Sequence, residues 1–162
     1  MYDLAGNLLT QTLVKNERTL KSTADGGAEI DAGEAVAEVI SAIDAVLEKT
    51  KSAKSEISAV ASCAFWHSLM GVDAGGKPTT KVLGWADNRS RDYVAELRKK
   101  LEEDEVHNRT GARFHSSFWP AKLFWFQNER PSVFARTEKW LSLSDYLTWK
   151  LSGEVSTSIS MA

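Results

Sequence analysis

AFWHSLMGVDAGGKPTTKVLGWADNRS, residues 64–90, decides the fold because it predicts a β-hairpin with polar and aromatic side chains at both ends. The predicted turn is 73–78, which contains the Asp, Gly and Pro residues that tight turns favour. Two clusters flank the hairpin: Trp66 and His67 before it, and Trp85, Asp87 and Arg89 after it. Because each cluster follows an apolar run of strand length, we expect both to lie at one rim of a sheet.

These clusters resemble the sugar-binding half of the FGGY carbohydrate kinases, where a His-containing triplet ends a strand before a hairpin and a Trp-x-Asp-x-Arg signature. The resemblance is greatest to gluconate- and xylulose-kinase-like members. Weaker matches continue in the family's order: Tyr2-Asp3-x-x-Gly6, Thr110-Gly111, Lys122-Leu-x-Trp125, Pro131, Ser144-Asp145-Tyr146-Leu147 and Leu151-Ser-Gly153. The resemblance implies an α/β fold of the ribonuclease-H-like, actin-like ATPase type, with a mixed sheet flanked by helices.

The domain organisation implied by the resemblance is a single partial N-terminal, sugar-binding domain over residues 1–162. A chain of 162 residues is long enough for one domain with a real core and too short for two. Nothing in it matches the family's Asp-Gly-Thr phosphate loop, which lies on the first strand of the sheet, so we expect that strand to be missing. We also expect the C-terminal nucleotide-binding domain to be absent. The exposed sheet edge would favour a homodimer or other self-association.

Composition and charge narrow the classes of partner. The 43% hydrophobic and 26% charged residues are typical of a globular protein, and a formal net charge of −2 disfavours nucleic acid and anionic membranes. The lone Cys63 cannot form an internal disulfide, and we recognise neither a signal peptide nor an apolar run of spanning length, which favours the cytoplasm. One Cys and three scattered His predict no zinc site.

Local patterns predict four helices, each with a start or stop signal close to its own apolar stripe. In chain order they are a helix over 31–49 with Asp31 and Glu34 as a capping box, a helix capped by Ser90 whose solvated face is 98–105, a helix between Ser116 or Ser117 and Pro131, and a helix from Ser142 to Gly153. The third of these should bury its aromatic residues, Phe124, Trp125 and Phe126, together with Leu123.

The other predictions concern strands and loops. They are a strand end and turn over 1–7, a returning strand over 8–15, a loop over 17–29, a strand over 57–65 and a polar strand or turn from 155. The run 57–65 carries no charge, so we expect a strand covered on both faces, with Cys63 packed inside.

His67 is the sharpest candidate for a substrate-binding residue. A neutral imidazole at a strand end can donate or accept a hydrogen bond to a sugar hydroxyl. Without the resemblance, a lone His beside aromatic residues is more often a structural residue, so both interpretations stay open. Trp66 differs from the Met or Gln usual in the family at this position, and its flat face could stack on the C–H face of a sugar.

The second cluster has two interpretations of equal weight. Asp87 and Arg89 are two residues apart after a strand, so they can form an ion pair that fixes the start of the next helix. Alternatively they form a pocket wall, in which Arg89 meets a sugar-acid carboxylate. Trp85 is more compatible with packing beneath the pocket than with direct contact. The central geometric expectation is that His67 and the Asp87–Arg89 pair line one carbohydrate cavity.

The resemblance implies phosphoryl transfer from ATP, with Mg²⁺, to a hydroxyl of a sugar, sugar acid or polyol, a gluconate-like substrate being favoured. In the family the catalytic base and the nucleotide site lie in the C-terminal domain, so no catalytic, cofactor or metal residue is assigned here. Gly26-Gly27 and Gly75-Gly76 are isolated pairs, not a phosphate loop. We therefore expect the isolated chain to bind no ATP or Mg²⁺ and to be inactive as a kinase.

Two alternatives remain open at the level of sequence. One is a non-catalytic sugar-binding or interaction module derived from the kinase fold. The other is an unrelated α/β protein in which the matches are accidental. The identity of the sugar and the oligomeric state are not determined by these patterns, because specificity depends on pocket shape and a few hydroxyl contacts.

Overall fold

A computed structural model describes residues 1–16, 19–51 and 57–158 of the chain. Within these residues the helices are α1 (Ala32–Lys49), α2 (Tyr93–Lys100), α3 (Glu103–Thr110), α4 (Trp119–Glu129), α5 (Pro131–Arg136) and α6 (Leu143–Ser152). The strands are β1 (Lys21–Ser22), β2 (Ala28–Ile30), β3 (Met70–Val72), β4 (Val82–Leu83) and β5 (Lys139–Leu141), and Thr10–Thr12 is a short 3₁₀ turn. The predicted α/β class is confirmed.

The predicted hairpin is present and joins the two small sheets. Strands β1, β2 and β4 form one antiparallel sheet, and β3 pairs with β5 in a second. Leu69 and Leu83 exchange both backbone hydrogen bonds, at 3.0 and 2.8 Å, and thereby connect the sheets. In the turn, the Asp73 carboxylate accepts from the backbone N–H groups of Gly75 and Lys77, both at 2.9 Å.

The N-cap predicted for α1 and the capping box predicted for α6 are confirmed. Asp31 caps α1 by accepting from the backbone N–H groups of Gly33 and Glu34. Ser142 and Asp145 form a reciprocal capping box at the start of α6, and Gly153 ends that helix in the left-handed region, at φ 81°. Both ends of α6 are therefore fixed by residues within one turn of the helix.

The core lies between the hairpin and the helices. One apolar cluster joins β3, β4 and β5 to α1 and α6, and includes Met70, Val72 and Tyr146. A second cluster places α4 against the hairpin, through Leu69, Leu83, Trp119, Trp125 and Phe126. The hairpin is thus packed against helices on both sides.

The strand predicted over 57–65 is wrong. These residues have no regular secondary structure, most are exposed, and no described strand pairs with them. An apolar run forms a central strand only where neighbours complete its hydrogen-bond ladder, and none is described beside this one. Cys63, expected inside the core, is consequently exposed.

The predictions for the N-terminal region are wrong in part. Tyr2 and Leu8 form the isolated bridge of a tight turn, as expected, but the returning strand is replaced by the 3₁₀ turn. The predicted loop 17–29 contains, in its described part, the hairpin of β1 and β2, with Gly26 at φ 86° in the turn. Residues 17 and 18 lie outside the described residues, as do 159–162 at the predicted final polar segment, and 155–158 are irregular.

The predicted cap and extent of the second helix are also wrong. Ser90 does not cap α2, because its hydroxyl donates to the backbone carbonyl of Ser116 at 2.8 Å. The charged run 98–105 is divided between α2 and α3, since Leu101 is extended at φ −136°. The cap of α4 is Phe118, without a side-chain hydrogen bond, and not Ser116 or Ser117. No helix among the described residues is long and apolar enough to cross a membrane.

Candidate functional site

A cleft of about 780 Å³ opens between the turn at His67 and the segments around α3 and α4. Its lining includes Trp66, His67, Arg113, His115 and Phe118. Aromatic and imidazole rings therefore form much of its wall, and a few polar groups are set among them. This combination suits a ligand with both apolar C–H faces and hydroxyl groups.

His67 lies at the centre of this wall, and its own backbone conformation is unusual. Among the residues that the structure describes, it is the only non-glycine residue with a positive φ, which is 61°. Its ring stacks on Trp66, with centroids 4.6 Å apart and planes inclined by 17°, and meets the ring of Phe118 at 4.5 Å. Phe118 also contacts His115 at 5.8 Å. The four rings form a continuous aromatic surface along the cleft.

The imidazole of His67 is kept neutral by its surroundings. Partial burial lowers the pKa of His67 below its usual 6.5, and the positive charges of Lys122 and His115 lower it further. A neutral imidazole has one donor and one acceptor nitrogen, which is the form suited to binding a hydroxyl group. Trp66, beside it, remains 60% exposed.

Asp87 and Arg89 form an ion pair, so the structure contains the first of the two arrangements considered from sequence. Asp87 is 1% exposed, and Arg89 Nη2 donates to Asp87 Oδ2 at 2.6 Å and to Glu29 Oε2 at 2.7 Å. Asp87 also accepts from the backbone N–H of Ala28 at 3.1 Å. The guanidinium lies over the ring of Trp125, 5.0 Å from its centroid. This network ties the segment after β4 to strand β2.

Trp85 does not pack beneath a pocket. Its side chain is 62% exposed, and it stands at the surface on the segment between Gly84 and the buried Asp87. The expectation of a packed Trp85 is therefore wrong, because the chain turns outward immediately after the buried strand β4. Trp85, Asp87 and Arg89 are not among the residues that line the cleft.

The most buried charged side chain near the site is Lys122, which sequence reasoning named only as part of a motif. It is 0% exposed, and its Nζ donates to the backbone carbonyls of His67 at 2.7 Å and Gly84 at 2.9 Å. Burial lowers the pKa of Lys122 to about 8, with Asp87 opposing this effect and Arg89 adding to it. A signal existed: Lys122 interrupts the buried face of α4 formed by Ala121, Trp125 and Phe126.

Comparison with known proteins identifies the family. The model of the FGGY family of carbohydrate kinases, N-terminal domain, matches residues 1–162 of this chain. The chain belongs to the FGGY family. The resemblance inferred from the hairpin and its flanking clusters is thereby confirmed.

Curated FGGY relatives are longer than this chain. A gluconokinase from Bacillus subtilis is 29% identical over 109 residues, which cover 67% of this chain and 21% of the relative. An autoinducer-2 kinase from Salmonella choleraesuis is 25% identical over 165 residues, covering all of this chain and 31% of the relative. The matched region therefore spans less than a third of either protein.

Solved structures of FGGY kinases share the fold. A kinase from Brucella ovis, described as a xyloylose kinase, superposes with a TM-score of 0.79 at 26% identity, covering 90% of this chain and 30% of that one. A ligand-bound xylulose kinase from Lactobacillus acidophilus has a TM-score of 0.72 at 24% identity, over 99% of this chain and 32% of that one. The actin-like α/β fold expected from sequence is confirmed.

The FGGY assignment raises the question of whether the described residues could hold a nucleotide and its metal ion. Over 1–16, 19–51 and 57–158, no group of His, Cys, Asp or Glu is arranged to hold a metal ion. Both glycine pairs lie in hairpin turns, Gly26 between β1 and β2 and Gly76 after β3. Neither turn leads into a helix N-terminus that could receive a phosphate. Neither glycine pair therefore forms the phosphate loop of a nucleotide site.

Proposed function

We propose that this chain is the sugar-binding N-terminal part of an ATP-dependent carbohydrate kinase. The observation that carries the proposal is the match of the whole chain to the FGGY N-terminal domain, together with a cleft lined by Trp66 and His67. The expected acceptor is a hydroxyl group of a sugar, sugar acid or polyol. A gluconate-like acid is favoured, since a curated gluconokinase is among the relatives at 29% identity.

The chemistry of the cleft supports sugar binding. The exposed face of Trp66 offers a stacking surface for the apolar C–H face of a sugar, while the neutral His67 imidazole can bind a hydroxyl group. Arg113 and His115 lie on the same cleft and could take part in binding a carboxylate. The five-residue set Trp66, His67, Trp85, Asp87 and Arg89 remains our prediction for the substrate site, with direct contact proposed for the first two.

We assign nucleotide binding and the catalytic base to a part of the enzyme other than these 162 residues. A Plasmodium falciparum glycerol kinase of the same fold was solved with ADP, and phosphoryl transfer requires a positioned Mg²⁺ and base. Because the proposal places these groups outside this chain, we expect the chain alone to release no ADP. A turnover of about 1 per second in a gluconate-dependent ADP-release assay would contradict this division of roles.

Sugar binding is tested directly by calorimetric titration of the chain with a panel of aldonates, ketoses and polyols. We expect an aldonate to bind, and His67→Ala to weaken its binding by about fivefold or more, the loss typical of one hydrogen bond. His107→Ala is the matched control, because His107 lies on α3 and is not part of the cleft lining. Equal affinities for wild type and His67→Ala would remove His67 from the site.

A further inference from the structure

Two side chains of helix α4, one turn apart, donate hydrogen bonds to the backbone of the His67 turn. Trp119 Nε1 donates to the carbonyl of Ser68 at 2.9 Å, and Lys122 Nζ donates to the carbonyl of His67 at 2.7 Å. Residues at i and i+3 lie on the same face of a helix, so Trp119 and Lys122 reach two consecutive carbonyls. Both side chains are buried, at 8% and 0% exposure.

The backbone that these donors hold is strained. A non-glycine residue at φ 61° has a higher free energy than in the extended or right-handed regions, and persists where its surroundings hold it in place. The Ser68 side chain is held as well, since its hydroxyl accepts from the backbone N–H of Leu143 at 3.1 Å. The direction of the His67 ring into the cleft therefore depends on contacts from α4 and α6.

Lys122 also joins the two clusters that flank the hairpin. Its second hydrogen bond goes to the carbonyl of Gly84, directly before Trp85, and Gly84 in turn donates from its backbone N–H to Ala28 at 2.8 Å. One ammonium group therefore bridges the end of the first cluster and the beginning of the second. The charged and titratable groups that act on it are Asp87, Arg89 and His67.

We propose that Lys122 is a positioning residue of the sugar site, which holds the His67 turn in its left-handed conformation and fixes it relative to the segment from Gly84 to Arg89. The effect on sugar affinity rests on the proposed function, whereas the effect on the conformation of His67 does not. Lys122 does not line the cleft, so it acts through His67 and not by touching the ligand.

The test replaces Lys122 by Met, which keeps the length of the side chain but removes the donor. We expect two NMR observables of His67 to change in the absence of sugar. They are the backbone scalar coupling that depends on φ, and the signals of the imidazole ring. Lys99→Met is the matched control, since Lys99 is also helical but exposed and paired with Glu96 at 2.6 Å. Unchanged His67 signals in Lys122→Met would overturn the proposal.

Sugar affinity supplies the second readout through a double-mutant cycle. If Lys122 acts through His67, then Lys122→Met and His67→Ala each weaken aldonate binding, and the double variant is no weaker than His67→Ala. Losses that simply add would contradict a positioning role. Absence of binding by wild type would contradict the proposed function, while the NMR measurement on the free chain would still decide whether Lys122 holds the turn.

Trp119→Phe keeps the proposal testable if Lys122→Met does not fold. This variant keeps an aromatic ring in the core but removes the hydrogen bond to Ser68. We expect the His67 signals to move away from their wild-type positions, because one of the two donors from α4 is lost. His67 signals that stay at their wild-type positions in Trp119→Phe would overturn the proposal that hydrogen bonds from α4 hold this turn.

Discussion

Arg89 Nη2 lies 2.6 Å from Asp87 Oδ2, and this pair fixes the segment after β4 against strand β2 through Ala28 and Glu29. The carboxylate of Asp87 is almost completely removed from solvent. The Arg89 guanidinium and the backbone N–H groups of Ala28 and Arg89 donate to this carboxylate, so it is part of the local structure. Two charged residues of a sequence signature can therefore support the site without lining it.

Replacing Asp87 by Ala should destabilise the protein by about 3 kcal/mol, because the Arg89 side chain is only 12% exposed and would lose its nearest carboxylate, keeping Glu29 and Asp25 as acidic partners. Urea unfolding followed by tryptophan fluorescence measures the change. Asp104→Ala is the control: Asp104 pairs with Arg113 at the surface, where such pairs contribute less than about 1 kcal/mol. A stable Asp87→Ala variant that had lost sugar binding would instead place Asp87 in the pocket wall.

Local signals and long-range contacts account for different parts of this fold. The capping box of Ser142 and Asp145 lies within the helix that it starts, and the hairpin turn is defined by the residues from Asp73 to Gly76, so both were predictable. The strand expected over 57–65 depended on partner strands elsewhere in the chain, and no local pattern shows whether such a strand lies beside it. Its apolar composition indicated burial that the described structure does not provide.

The same division applies to the candidate site. The position of Trp66 and His67 on the cleft was predictable because they directly follow an apolar run, and because His67 matches the His of the family pattern, although Trp66 departs from it. The role of Lys122 depends on α4 packing against the hairpin, 38 positions away from Gly84 in sequence. A lysine on an otherwise apolar helix face was the available signal, although sequence alone does not tell which carbonyl groups it meets.

Gly76 should tolerate substitution much less than Gly111, although both have nearly the same φ, +76° and +75°. A Cβ at Gly76 would collide with the ring of Trp149, whereas a Cβ at Gly111 would meet no atom within 4 Å. We expect Gly111→Ala to cost about 1 kcal/mol of unfolding free energy, from backbone strain alone, and Gly76→Ala about 3 kcal/mol. Equal costs in urea unfolding would show that the Trp149 contact does not constrain this turn.

His67 should titrate below the usual histidine range, and its pKa should rise when Lys122 is replaced by Met. Burial is the main cause of the lowered pKa, followed by the positive charges of Lys122 and His115, so removing one charge relieves part of it. NMR titration of the imidazole signals measures this. Because the folded pKa lies below the unfolded value, the unfolded chain binds more protons, and the contribution of His67 to stability falls as the pH drops through the range near 6.5.

The His115→Ala variant separates the two charges that act on His67. His115 affects His67 less than Lys122 does, so its removal should raise the pKa of His67 by a smaller amount. The Lys99→Met variant changes an exposed charge that is not among the causes of the lowered His67 pKa, so it should leave the pKa of His67 unchanged. A larger shift in His115→Ala than in Lys122→Met would contradict the position of Lys122 against the His67 turn.

The stability of the folded chain should increase as the pH rises from 8 to 9.5. Burial lowers the pKa of Lys122 to about 8, below its usual 10.5, so the unfolded chain binds more protons than the folded chain throughout this interval. The cost of burying the charge is greatest below pH 8 and is relieved as the folded ammonium loses its proton. The expected gain is about 1.5 kcal/mol over these 1.5 pH units, measured by urea unfolding at each pH.

Lys122→Met should abolish this rise, since Met carries no titrating group, while the exposed-lysine variant Lys99→Met should retain it. The interval ends at 9.5 because Tyr93 has the opposite effect at higher pH. Its hydrogen bond to Glu129 raises the pKa of Tyr93 to about 12, so stability from that group is lost as the pH rises above its unfolded value near 10. A pH profile identical in wild type and Lys122→Met would mean that the Lys122 charge is not desolvated between His67 and Gly84.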